Sequence, residues 1–339
     1  MSTDLAWVPR MAARDAWLAQ VREEIIDPDR EIVDPHHHLW VREGIPYQME
    51  ELWADTGSGH NIVQTMFMEC RAFYDEDAAE AFQPIGETRT VADWAIHGRR
   101  FKNCAQIAGI IGHADLRNPD LDTVLNAHVD AGQGLFRGIR HAGACDSDPA
   151  LRIRPRGEPG MYHDPDFHRG VARLGARGLT YDTWQYHHQL GDFLSLAQAV
   201  PETTLVLDHL STPLGVGRFA GQRDSLFAKW QDEMAMVAEC HNVVVKLGGM
   251  AMPDNGFGWH ERDLPPTSDE FVEAMAPWYE HMINCFGVNR CMFESNFPVD
   301  RISISYPVLW NGLKKLAADY SEADQIALFS GTARAVYTL

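Results

Sequence analysis

Glu31-Ile32-Val33-Asp34-Pro35-His36-His37-His38-Leu39-Trp40 is an apolar run that leads directly into three consecutive histidines. A strand turns successive side chains to opposite faces, so His36 and His38 point one way and His37 the other. Two imidazoles one side-chain repeat apart can chelate one metal ion or grip one carbonyl oxygen, whereas His37 is expected to pack outward as a structural residue. Seven further β-rich runs follow, at 61–70, 105–115, 136–143, 178–185, 203–211, 242–250 and 291–298. Amphipathic stretches lie between most of them, such as 88–101, 120–131, 223–241 and 268–286. Alternating strand and helix implies parallel pairing through right-handed crossovers. Eight such units fit a closed (β/α)8 TIM barrel, and no Gly-x-Gly-x-x-Gly follows the first run to favour an open dinucleotide-binding sheet. Residues 31–339 are expected to form the barrel. Residues 1–30 read as an N-terminal extension with one helix near 11–25.

Barrel enzymes place their chemistry where strands end. Here polar groups fall at the ends of all the runs: Glu69 on the second; His113 and Asp115 on the third; Arg140 and His141 on the fourth; His187 and His188 after the fifth; Asp208 and His209 on the sixth; Lys246 on the seventh; Glu294 and Asn296 on the eighth. Polar groups at the same end of eight strands imply a shared pocket. Asp208 is one residue off His209, so it is expected to face the other side in a structural salt bridge. Lys246 is either a pocket residue or part of an ion pair at the barrel bottom. Glu294 and Asn296 share a face. The histidines at 60, 97, 128, 163, 168, 241, 260 and 281 fall on loops or helices and read as ordinary surface or satisfied residues. The loops at 71–87, 144–165 and 251–267 are long, a weak hint of function on that face.

Composition narrows the class. The chain has 339 residues, 45% hydrophobic and 23% charged, which is ordinary globular usage. The net charge of −19 argues against nucleic acid and anionic membranes as partners and leaves a small-molecule substrate. No run is long and apolar enough for a membrane span, and MSTDLAWVPR lacks the apolar core of an export signal. Six cysteines form no Cys-x-x-Cys pair. A reduced cytoplasmic protein is expected, and a homo-oligomer is compatible with this reading.

The motifs Asp34-Pro35-His36-His37-His38-Leu39-Trp40, Phe136-Arg137-Gly138-Ile139-Arg140, Leu207-Asp208-His209-Leu210, Met292-Phe293-Glu294-Ser295-Asn296-Phe297-Pro298-Val299-Asp300 and Gly331-Thr332-Ala333-Arg334 resemble the amidohydrolase-2 family. Within it the chain is similar to the lactonase branch, which includes 2-pyrone-4,6-dicarboxylate lactonase and L-fuconolactonase. The resemblance covers residues 31–339. It implies a (β/α)8 barrel and hydrolysis of a lactone or related ester or amide. Some members bind one divalent ion through the first-strand histidines, and the pyrone lactonases are thought to work without one. Carried over, His36, His38 and His188 would hold a divalent metal, zinc by preference, or else the histidines polarise the carbonyl directly. His209 matches the family's Asp-His segment, and Arg140 matches an arginine that binds a substrate carboxylate, with Arg71 or Lys246 in support. Tyr181 adds a hydrogen bond in this reading. One departure matters: the family's eighth strand ends in Ser-Asp-Trp/Phe-Pro, and this chain has Asn296 at the aspartate. A neutral amide cannot accept a proton from water, so Glu69 or Glu294 would take that duty, with Asp182 and Asp300 behind them. Two rivals follow. One is metal-dependent decarboxylation of an aromatic or muconate-type acid, which Asn296 disfavours. The other is a non-catalytic binding barrel, which His36, His38 and His209 oppose.

Overall fold

The computed structural model describes residues 11–153 and 157–339. Eight parallel strands pair in chain order: β1 Glu31–His37, β2 Asn61–Met68, β3 Gln106–Gly112, β4 Phe136–Arg140, β5 Thr180–Thr183, β6 Leu205–Leu207, β7 Val243–Leu247 and β8 Cys291–Phe293. The His38 N–H donates to the Phe297 carbonyl at 2.8 Å and the Asn296 N–H to the His36 carbonyl at 3.0 Å. These bonds join the ends of β1 and β8 and bring the sheet round into a (β/α)8 barrel. Every expected run holds a strand, and every strand stops short of its expected C-terminal end, because the polar residues there leave the ladder to line the barrel mouth. Helices Ile85–Gly98, Leu121–Ala131, Arg223–Ala238 and Ser268–Phe286 fall on the expected amphipathic stretches. The first helix, Met11–Leu18, ends well before residue 25. The chain beyond it is drawn off by tertiary partners: the Ile26 N–H donates to Asn311 Oδ1 at 2.9 Å, and Lys314 Nζ donates to the carbonyls of Ile26 and Asp27. Among the described residues, no helix is long and apolar enough to cross a membrane.

The barrel interior is built in layers. Val33, Met66, Ile111, Val206, Val244 and Met292 form an apolar bottom layer, sealed by Ala333 and Tyr337 from the last helix, Thr332–Tyr337. Burying side chains of this size contributes roughly 1.5–3 kcal/mol each. Two residues further along β6, β7 and β8 come Asp208, Lys246 and Glu294, all fully buried. Lys246 Nζ lies 3.0 Å from Asp182 Oδ2 and 3.1 Å from Asp208 Oδ1. Burial opposes its charge, but the two aspartates outweigh burial and hold its pKa above the ordinary lysine value. Of its two sequence readings, Lys246 is therefore the interior ion pair, in which Asp182 is further held by the Thr180 and Tyr337 hydroxyls.

β1 departs from regular alternation. Val33 faces the interior, so strict alternation would carry Pro35 and His37 inward. The β1–β2 register slips between Asp34 and His37, and this irregularity turns His36 and His38 inward instead. His37 packs outward, its ring 6.0 Å from that of Phe67. Burial pushes its pKa down to about 3, so it is neutral.

Candidate active site

A cavity of about 100 Å³ opens at the C-terminal mouth of the barrel. Its polar floor comes from strand ends: His38 after β1, Glu69 after β2, Arg140 at the end of β4, His209 after β6 and Asn296 after β8. Its apolar walls are Trp40, Ile153, Trp184 and Met252, and Arg42 lies over the Trp40 ring at 4.2 Å.

Glu294 organises the floor. Its Oε1 is 2.6 Å from His209 Nδ1 and its Oε2 is 2.8 Å from His36 Nδ1. Burial would raise the pKa of this carboxyl, but the charges and hydrogen bonds of His209 and then His36 hold it at about 2. His36 itself is driven well below the ordinary histidine value, by burial first, so it is neutral. The His209 pKa is raised: burial lowers it, and Glu294 outweighs burial. The carboxylate keeps a hydrogen on both Nδ1 atoms, which leaves the Nε2 of His36, and of His209 whenever it is neutral, as a bare acceptor. His38 reaches the same state by another route, because its Nδ1 lies 2.9 Å from the Met68 carbonyl and must donate to it.

Two glycines permit this approach. A Cβ on Gly248 would collide with Glu294, and one on Gly249 (φ +67°) with the His209 ring. His209 itself reaches the floor because the chain leaves β6 at Leu207 and takes left-handed backbone from His209 to Thr212 (φ 56°, 53°, 58° and 38°). Asp208 and His209 therefore both face inward, against the expected opposition of neighbours. The salt bridge expected for Asp208 is present, to Lys246 and, at 3.5 Å, to Arg140. Asp34 fixes the end of β8: its Oδ1 accepts from the Ser295 N–H at 3.0 Å and its Oδ2 from the Tyr306 hydroxyl at 2.9 Å.

The donor set suits a divalent ion. His36, His209 and Glu294 place ligand atoms within 4.8 Å of one another. Glu294, however, already spends its oxygens on the two Nδ1 atoms, the usual place of a carboxylate behind a ligating histidine. The stronger pair is His36 Nε2 and His38 Nε2, 3.3 Å apart. Two nitrogen ligands of a tetrahedral zinc with bonds of ~2.0–2.1 Å lie ~3.3 Å apart. Arg140 competes for this corner, since its Nη1 lies 3.3 Å from His36 Nε2.

The structure brings together His36, His38, Glu69, Arg140, His209, Glu294 and Asn296. It does not bring His188, Tyr181, Lys246 or Arg71 to the cavity. His188 follows β5 on a short turn, stacks on Tyr186 and Phe219, and places Nε2 3.3 Å from Asp146, so it is not with the His36–His38 pair. Tyr181 is fully buried and donates to the His141 carbonyl at 2.8 Å. Lys246 lies below the floor in its ion pair. Arg71 is exposed, with φ 60°. Arg140 lines the cavity but is largely engaged: Nε donates to Glu69 Oε1 at 3.0 Å, Nη2 to the Glu69 carbonyl and Nη1 to Asp208. The residues missed from sequence are Gly248, Gly249, Asp34 and the walls Trp184, Ile153, Met252 and Arg42. The Gly248-Gly249 pair after an apolar strand was the one visible signal of close packing.

Comparison with known proteins places the chain in a family. The amidohydrolase family profile matches residues 33–339. An uncharacterized protein, y4mH, of Sinorhizobium fredii is 30% identical over 333 residues, covering 91% of this chain and 99% of its own. The L-fucono-1,5-lactonase of Burkholderia multivorans is 27% identical over 315 residues, covering 91% and 96%. An amidohydrolase of B. multivorans solved with bound zinc superposes with a TM-score of 0.71 at 24% identity, covering 91% of this chain and all of that one. From its first strand to its last helix, this chain belongs to the amidohydrolase family.

Proposed function

We propose that this protein is a hydrolase that opens the ring of a small polar lactone. The observation that carries the reading is the Glu294 carboxylate, which bridges His209 Nδ1 at 2.6 Å and His36 Nδ1 at 2.8 Å. In this reading His209 Nε2 takes a proton from water as the water oxygen adds to the lactone carbonyl, and Glu294 stabilises the imidazolium that forms. The oxyanion develops beside the Arg140 guanidinium. The ring C–O bond then breaks, and the leaving alkoxide takes its proton back from His209. Base duty thus moves off the eighth-strand position to His209. Glu69 anchors Arg140, and Glu294, acidic and spent on two imidazoles, orients rather than deprotonates. With Arg140 engaged by protein carboxylates, Arg42 on the cavity wall takes the substrate-carboxylate contact. His36 and His38 would hold a zinc ion through Nε2, and when bound it would polarise the carbonyl and acidify water. The lactonase activity of the B. multivorans relative and the zinc in the B. multivorans amidohydrolase are consistent with both statements. The acidic chain argues against nucleic acid as a partner.

The test is acid release on a panel of sugar lactones and carboxylated pyrones, run with and without added zinc. At least one lactone should turn over, and His209→Asn should lose about 10²–10⁴ of the rate. Carbon dioxide released from aromatic acids, with no lactone opened, would replace this reading by decarboxylation.

A further inference from the structure

Asn296 stands where the family has aspartate, and the structure shows what holds it. Its backbone is left-handed (φ 55°), a conformation asparagine adopts more readily than most residues. Its Nδ2 donates to Asp300 Oδ1 at 2.8 Å, one helical turn further along the chain. The second oxygen of Asp300 accepts from the Ala251 N–H at 3.0 Å. Both Asp300 oxygens are therefore taken, and Asp300 is 1% exposed and outside the cavity lining, so it is no base for water. Burial pushes the Asp300 carboxyl up to about 7, and above that pH it is a carboxylate, which accepts and cannot donate, so only the amide's N–H₂ end can face it. The Oδ1 end of Asn296 must then turn away from Asp300, and Asn296 is part of the cavity wall that also carries His209.

We propose that Asp300 is a positioning residue that fixes the Asn296 amide with Oδ1 toward the cavity, where it accepts one hydrogen of the attacking water while His209 Nε2 takes the other. This rests on the hydrolase reading above. A water held by two acceptors has its lone pair directed at the carbonyl. His209 removes one proton, the oxygen–carbonyl bond forms, and the second hydrogen stays with the new acid group. The eighth-strand position keeps its acceptor oxygen but gives up its charge, so in this reading the proton passes to His209 rather than to residue 296.

The test inverts the polarity of the pair without changing its shape. In Asp300→Asn the new amide can still accept from Ala251, but its N–H₂ faces Asn296 and turns that amide over, presenting a donor to the cavity. We expect kcat to fall about tenfold to a hundredfold with KM changed less than about threefold. The double variant Asn296→Asp/Asp300→Asn restores an acceptor in the cavity and should recover most of kcat, a rescue that a merely structural role of Asp300 would not give. Orientation is read separately, from the side-chain amide protons of ¹⁵N-asparagine-labelled protein. One Asn296 amide proton should exchange slowly in the wild type and lose that protection in Asp300→Asn. Unchanged protection overturns the orientation. A wild type that opens lactones alongside an equally active Asp300→Asn overturns the role in positioning water. A wild type that opens none refutes the hydrolase reading instead, and the exchange measurement still decides the orientation.

Discussion

Replacing Glu294 by glutamine tests the centre of the site with an isosteric change. Wild-type Glu294 accepts from His209 Nδ1–H at 2.6 Å and places its other oxygen 2.8 Å from His36 Nδ1. Glutamine has one acceptor oxygen and one N–H₂, so it can serve only one of these hydrogens. The other imidazole must shift its proton to Nε2. If that is His209, the base is lost; if it is His36, the acceptor facing His38 and Arg140 is lost. Either way kcat should fall about 10²–10⁴, with a small change in KM. Stability changes too. Holding a carboxyl at about 2 against an ordinary 4.5 corresponds to an upper bound of about 3 kcal/mol. The folded value is depressed, so this contribution is present above pH 4.5 and lost as pH falls through about 2. Urea denaturation should thus show the variant less stable at pH 7 by up to about 3 kcal/mol, with the gap closing toward pH 3. Wild-type kcat in Glu294→Gln, together with a gap independent of pH, would refute the bridging carboxylate.

His36→Ala and His38→Ala should each abolish turnover in folded protein, whereas His188→Ala should retain it within about twofold, since its ring lies on Phe219 rather than in the cavity; equal losses in lactone kinetics would put His188 back in the site. Arg140→Met should tighten zinc by about tenfold or more in a chelator competition, because a unit charge ~5 Å from an ion is worth a few kcal/mol at an effective dielectric of ~20; unaltered affinity would show that the guanidinium and the ion do not compete. His128 bonds Thr88 Oγ1 at 2.8 Å and the His113 carbonyl at 2.9 Å, and burial holds it at about 4 against an ordinary 6.5. Below pH 6.5 the unfolded chain binds this proton and the fold does not, so wild-type stability falls relative to His128→Gln. The gap between them should narrow by about 2 kcal/mol from pH 7 to pH 5 in urea melts, and a constant gap would mean His128 titrates normally.

The barrel was legible because its signal repeats: eight apolar runs punctuated by polar ends survive any single misreading. Parts of the site were legible for a narrower reason. His36 and His38 share a face by the two-residue period, and so do Lys246 and Glu294 with the interior positions before them. What failed was backbone that is not strand. Nothing in Asp208-His209-Leu210-Ser211-Thr212 announces consecutive left-handed residues, so alternation wrongly set Asp208 opposite His209. His188 follows β5 in sequence, but a short turn carries it to Asp146. Arg140 was located and its engagement was not, because Glu69 and Asp208 are 71 and 68 residues away along the chain. The walls at Ile153, Trp184 and Met252 come from loops, whose packing no periodicity encodes.

The slipped register of β1 gives the site an unusual dependency. Its two inward histidines owe their direction to a count of backbone units between Asp34 and His37, not to their own chemistry. Straightening the strand there, with no residue removed, would leave every functional side chain in the protein and yet present His37 to the cavity and turn His36 and His38 against the helices. Transplanting Val33–His38 onto a regular strand of another barrel with Val33 kept inward would fail in the same way. The portable unit is the triple histidine together with its slipped register, and a chain that loses the slip while keeping the motif would match the family by sequence and lack its active site.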